Sequence, residues 1–143
     1  MKTSLRSISI NFILSTSNKN DFNLNEITNI LKLMPTRTRK WFDFPQASID
    51  ADIAETHWDY KIEQENCQEV SIPFKKMYDI LYNKSDIINK IANSFELNIE
   101  FLVVIHAESE RNIINEIPKE IISFLSSINA SLTIDSYYYC QSK

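Results

Sequence analysis

Arg6-Ser7-Ile8-Ser9-Ile10-Asn11-Phe12-Ile13-Leu14-Ser15 is the stretch on which the fold turns. Ile8, Ile10, Phe12 and Leu14 fall on one parity, with Ser7, Ser9, Asn11 and Ile13 on the other. That is the two-residue period of a strand with one face in a core. The polar parity breaks up the apolar residues, so the segment lacks the roughly 7–15 unbroken apolar residues of a signal-peptide core. No run anywhere in the chain approaches the ~18 apolar residues of a membrane span, and the cytoplasm is the expected location.

Working outward, Leu24, Ile27, Ile30, Leu31 and Met34 recur at three- and four-residue spacing behind Asn23, a candidate N-cap, and Pro35 stops the pattern. This predicts a helix. From Thr56 the alternation returns, with Trp58, Tyr60 and Ile62 facing one way and His57, Asp59, Lys61 and Glu63 the other, as in a second strand. Ser71 and Pro73 mark the start of a long helical segment carrying Phe74, Met77, Ile80, Leu81, Ile87, Ile88, Ile91 and Phe95, and residues 83–86 are a candidate break within it. Residues 99–107 are the most apolar run and predict a strand in the middle of the sheet. Pro118 opens a helix with Ile121, Ile122, Leu125 and Ile128, and Asn129 stands where a helix end takes a left-handed residue. Leu132, Ile134, Ser136 and Tyr138 then alternate with Thr133, Asp135, Tyr137 and Tyr139 as the last strand. The expected class is α+β: a single domain over residues 1–143, with a four-stranded, mainly antiparallel sheet and about three helices on one face, in a ferredoxin-like arrangement.

The 143 residues include no glycine, which excludes several chemistries at once. A Walker loop, a dinucleotide fingerprint and a GxSxG elbow each need glycine for a tight turn or a close backbone approach. Neither an HExxH pair nor a compact calcium loop is present. Cys67 and Cys140 have no CxxC partner and only His57 and His106 as companions, so the thiols are expected to be reduced and ordinary, with no zinc site. The expectation is a non-enzyme without catalytic residues, metal or cofactor.

A net charge of -4 and a pI near 5.2 argue against general binding to nucleic acid or anionic membrane. Between residues 43 and 69 eight acids face Lys61 alone, a local charge of -7. Glu55, Asp59, Glu63 and Glu65 in this stretch are candidate landing residues for a basic protein, because complementary charge speeds association. Tyr137 and Tyr139, on the parity pointing away from the helices, are candidate anchors beside them. Residues 35–42 set Arg37, Arg39 and Lys40 next to Trp41 and Phe42. The alternative function is therefore an anionic small-molecule or nucleotide-binding regulatory domain using Arg37, Arg39 and Trp41. The plainer account pairs Arg37 or Arg39 with nearby acids and lets Trp41 cover the end of the first helix. His57 and His106 with Asp59 or Asp135 share one parity, and an acid–base or metal set of His57, His106 and Asp135 is a third reading, although no ligand spacing marks it.

Three segments together carry a resemblance: the Pro35-Thr36-Arg37 turn, the Thr56-His57-Trp58-Asp59-Tyr60 strand, and residues 117–139. In the last, Pro118, a helix, Asn129-Ala130-Ser131-Leu132 and Ile134-Asp135-Ser136-Tyr137 follow in order. The chain resembles the bacterial domain-of-unknown-function family 4279 over roughly residues 6 to 139. That family has glycine where Asn129 stands here, and no counterpart to the loop at residues 43–55. The resemblance implies a small cytosolic α+β protein without established catalytic residues, similar to immunity proteins encoded beside secreted bacterial toxins. Joined to the acidic segment, it makes the expected function a non-enzymatic immunity protein, as in contact-dependent inhibition. Such a protein binds and neutralises a cognate toxin, a basic nuclease being the natural target, and is a monomer or weak dimer with no nucleic-acid or membrane partner.

Overall fold

In the computed structural model, which describes residues 6–17, 20–109 and 113–139, the alternating segment forms strand β1 (Ser7–Ser17). Its apolar parity, Ile8, Ile10, Phe12 and Leu14, is 0% exposed. Sealing a parity so completely takes neighbours on both edges and a layer above. After helix α1 (Leu24–Leu31), the short strand β2 (Arg37–Arg39) and the one-turn helix α2 (Gln46–Asp50) comes β3 (Glu55–Glu65), which pairs antiparallel with β1. Helices α3 (Ser71–Leu81) and α4 (Ser85–Phe95) lead to β4 (Asn98–Ala107), antiparallel to β1 on its other edge. Helix α5 (Lys119–Ser127) then delivers β5 (Ser131–Tyr138) parallel to β4, and the order across the sheet is β2-β3-β1-β4-β5.

The sheet thus has five strands rather than the expected four, and it is mixed: three pairings are antiparallel and the last is parallel. The extra strand went unread because Arg-Thr-Arg has no apolar parity. Its three residues are all exposed, and it is held by its ladder with β3 and by the Thr36 N–H donating to the Asp59 carbonyl at 2.7 Å. The parallel pair follows from α5, since a crossover helix returns the chain to the end of the sheet from which it left. The strand at residues 99–107 is interior, but β1 occupies the middle.

Four helices of eight residues or more cover the apolar face, one more than expected, because the long helical segment is divided by a 3-10 turn at Tyr82–Lys84. Asn23 caps α1 as its type predicts, its Oδ1 accepting from the N–H groups of Asn25 and Glu26 at 3.0 and 3.2 Å. Ser71 makes no cap; it is the first residue of α3, and the Val70 N–H before it donates to the Ile114 carbonyl. Between helices and sheet an aromatic chain runs from Trp58 to Phe12 at 6.1 Å, Phe12 to Phe101 at 5.2 Å, and Phe101 to Phe74 and Phe124 at 5.8 and 6.2 Å. Cys67 is buried with its thiol donating to the Glu69 carbonyl, while Cys140 lies outside the described residues. Among the described residues no helix is long and apolar enough to cross a membrane.

Without glycine, every left-handed position falls to a residue with a Cβ: Lys32, Asp52, Asn66, Glu96 and Asn129 all have φ between 54° and 61°. Asn129 fills the position after α5 that its place in the sequence suggested. Glu96 ends α4 in the left-handed region with its N–H donating to the Ala92 carbonyl. A side chain there costs about 1 kcal/mol relative to glycine. Glu96→Gly is therefore expected to raise stability by roughly 0.5–1 kcal/mol, part of the gain being lost to the freer unfolded chain; a shifted urea midpoint at unchanged slope is the check.

Candidate functional site

The helices pack against one parity of the sheet, so the other is left uncovered, and cross-strand register fixes what lies on it. One row reads Glu65, Ser7, His106 and Tyr137; the next, Glu63, Ser9, Val104 and Asp135; the third, Lys61, Asn11, Leu102 and Thr133. The fourth is Arg37, Asp59, Ile13, Glu100 and Ser131, and the fifth is Arg39, His57, Ser15 and Asn98. Glu55 lies beyond the fifth row on β3.

Asp59 anchors the fourth and fifth rows. It is 5% exposed; its Oδ2 accepts from Nε and Nη2 of Arg37 at 3.2 and 3.1 Å, and its Oδ1 lies 3.0 Å from Nδ1 of His57. A carboxylate only accepts, so Nδ1 is the donor, and Nε2 is left without a hydrogen-bond partner among the described residues. Phe44, from the loop before α2, meets the His57 ring edge-on at 6.5 Å and lies under the Arg39 guanidinium at 3.9 Å. Asp59 is therefore not a free landing carboxylate. It is an internal partner that orients Arg37, its register partner on β2, and His57, two residues away on its own strand; the plainer account of the sequence, an arginine of residues 35–42 paired with a nearby acid, holds for Arg37.

Glu55, Glu63 and Glu65 share this face as their alternation predicted. Ile13, Ser15, Arg37, Glu55, His57, Asp59, Asn98 and Glu100 line a shallow cleft of about 260 Å³. Burial pushes the Glu55 carboxyl above its ordinary 4.5; the charges of Glu100 and Asp59 add to the rise and His57 opposes it. Arg37 on β2 is engaged by Asp59, while β1 presents only the uncharged Ile13 and Ser15 here. A raised carboxyl favours the fold in acid, and that contribution is lost as pH climbs through the shifted value. Glu55→Gln is accordingly expected to leave stability unchanged near pH 4 and to raise it at pH 7 by about 0.5 kcal/mol or less, half-exposure screening the effect. Thermal melts of both proteins from pH 4 to 7 test this.

The far end of the face is aromatic. His106 stacks on Tyr137 at 5.1 Å and on Tyr139 at 5.8 Å, and its Nδ1 lies 2.7 Å from the Tyr139 hydroxyl. Tyr137 donates to Asp135 at 2.7 Å, and this hydrogen bond raises the phenol above its ordinary 10.0. Both tyrosines are exposed and turned from the helices, as their parity predicted. His57 and His106 are opposite β1 residues eight apart, about 26 Å at ~3.3 Å per residue, so His57, His106 and Asp135 do not assemble into one centre. Among the described residues no three His, Cys, Asp or Glu side chains are grouped to hold a metal.

Nor do Arg37, Arg39 and Trp41 converge. Arg37 is bound to Asp59, Arg39 covers Phe44 and donates to the Asp43 carbonyl, and Lys40 pairs with Asp21 at 3.1 Å. The Trp41 N–H donates to Thr56 Oγ1, which belongs to the helix-facing parity. Glu100, Ser15 and Asn98 were overlooked in the sequence. A charged residue inside the apolar run at 99–107 was the one available signal for Glu100.

A family model described as Domain of unknown function (DUF4279) matches residues 8–139. No curated protein and no solved structure matches the chain.

Proposed function

Because the chain belongs to the DUF4279 family, a domain of unknown function, we propose its role from its own surface: a non-enzymatic immunity protein that binds and neutralises a cognate bacterial toxin through the uncovered sheet face. The observation that carries this reading is the segregation of the fold, with the helices on one side and Glu55, Glu63, Glu65, Glu100, Asp135, Tyr137 and Tyr139 sharing the other. Carboxylates at sheet spacing present the charge that a basic nuclease meets on a nucleic-acid backbone, and exposed tyrosines supply rigid anchor area at low entropic cost. It acts in the cytoplasm as a monomer or weak dimer, without a cofactor. The antiparallel order β2-β3-β1-β4, with α1 and α3–α4 as its connections, supports a ferredoxin-like unit elaborated by α5 and β5.

The test is co-expression with the secreted protein encoded by the adjacent gene, followed by purification and binding at low and high salt. A tight complex whose association slows as salt rises, with the toxin's activity suppressed, is the expected result. Absence of a complex at low salt overturns the reading.

A further inference from the structure

We infer that the cleft in the fourth and fifth rows of the uncovered face is a socket for a single guanidinium or ammonium group, presented by an arginine or lysine side chain of the basic partner. The inference rests on the protein-binding reading above and names what that face recognises. Glu55 from β3 and Glu100 from β4, on either side of β1, both line the cleft. Arg37, the one arginine or lysine lining it, is already paired with Asp59 through Nε and Nη2. Glu55 has no ion pair or hydrogen bond among the described residues, whereas Glu100 accepts from the Thr133 hydroxyl at 2.9 Å.

Ser15 is the second, independent observation. It is 8% exposed, lines the cleft between His57 and Asn98, and its hydroxyl has no hydrogen-bond partner among the described residues. The hydroxyl, unpartnered within the fold, is left to accept from a donor that enters the cleft. Two carboxylates and a hydroxyl acceptor suit a planar group that carries five N–H donors, and the carboxylates repel an anion. At about 260 Å³ the cleft is smaller than the roughly 300–1,000 Å³ typical of small-molecule pockets, which fits one side-chain head group.

The experiment titrates ethylguanidinium into the full chain and follows amide resonances, so it is read without any toxin. Saturable millimolar shifts at Ser15, His57 and Glu100, weakened at least tenfold in an E55Q/E100Q variant whose other resonances are unmoved, are expected. Inorganic phosphate should shift none of them. Equal binding by the variant, no saturable shift, or phosphate moving these residues in place of ethylguanidinium overturns the socket. A toxin complex unaffected by E55Q/E100Q overturns it also, while leaving the immunity reading intact. Conversely, ethylguanidinium saturation without any toxin complex upholds the socket after the immunity reading has failed.

Discussion

A Glu63→Lys/Glu65→Lys double variant is expected to bind the cognate toxin about 100-fold more weakly, roughly 3 kcal/mol, with association slowed by at least about tenfold at low salt. Both carboxylates are exposed at the end of β3, opposite Ser9 and Ser7, so reversing them removes no partner inside the fold. It sets lysines where the proposed basic partner would dock, and like-charge contact costs several kcal/mol. The control is Glu120→Lys on exposed α5, which reduces the net charge on the helical side of the molecule. It should change affinity little. Calorimetry and association kinetics at two ionic strengths decide the matter: a free-energy loss in the control about half that of the double variant, in proportion to their charge changes, would mean that total charge drives binding, and the sheet face would lose its assigned role.

The largest effect on stability is expected at Trp58. The side chain is 0% exposed, its Nε1–H donates to Thr28 Oγ1 at 3.0 Å, and it begins the aromatic chain through Phe12 and Phe101. Trp58→Ala removes the apolar area and leaves a cavity beneath α1, at a cost of about 3–5 kcal/mol. For a domain of this length that lowers Tm by roughly 10 °C. Trp58→Phe keeps the ring contact but not the donor, and is expected to cost about 1–2 kcal/mol. Urea midpoints with unchanged slopes measure both. A loss under 1 kcal/mol for the alanine variant would show that Trp58 does not tie α1 to the sheet. These substitutions lie on the helix-facing parity, so toxin affinity measured below the melting range should stay within about twofold of the parent.

Much of the uncovered face was legible as parity. Glu55, Glu63 and Glu65 alternate with core residues on β3, and Tyr137 and Tyr139 with Tyr138 on β5, so their common orientation follows from strand geometry. The charge pattern within residues 43–69 did not show that Asp59 is consumed internally. Its partner Arg37 sits 22 positions earlier, on a strand too short and polar to show a period. The sequence left the cations at residues 37–40 between a ligand loop and pairing with nearby acids, and only the register placed Arg37 against a buried carboxylate and Lys40 against Asp21.

The sequence by itself determined which residues turn inward along β1 and β3, where α1 and α5 begin, and that Asn129 takes glycine's conformation. All of these are local matters of period, capping and backbone sterics. On β4, apolar on both parities, only the structure showed which one faces the helices. Only the tertiary structure decided that β1 lies at the centre, that β5 runs parallel to β4, and that Ser15, His57, Glu55 and Glu100 share one cleft while His106 lies at the opposite end. Strand order and register are set by how whole apolar faces are sealed from water across distant segments, and no window along the chain carries that information.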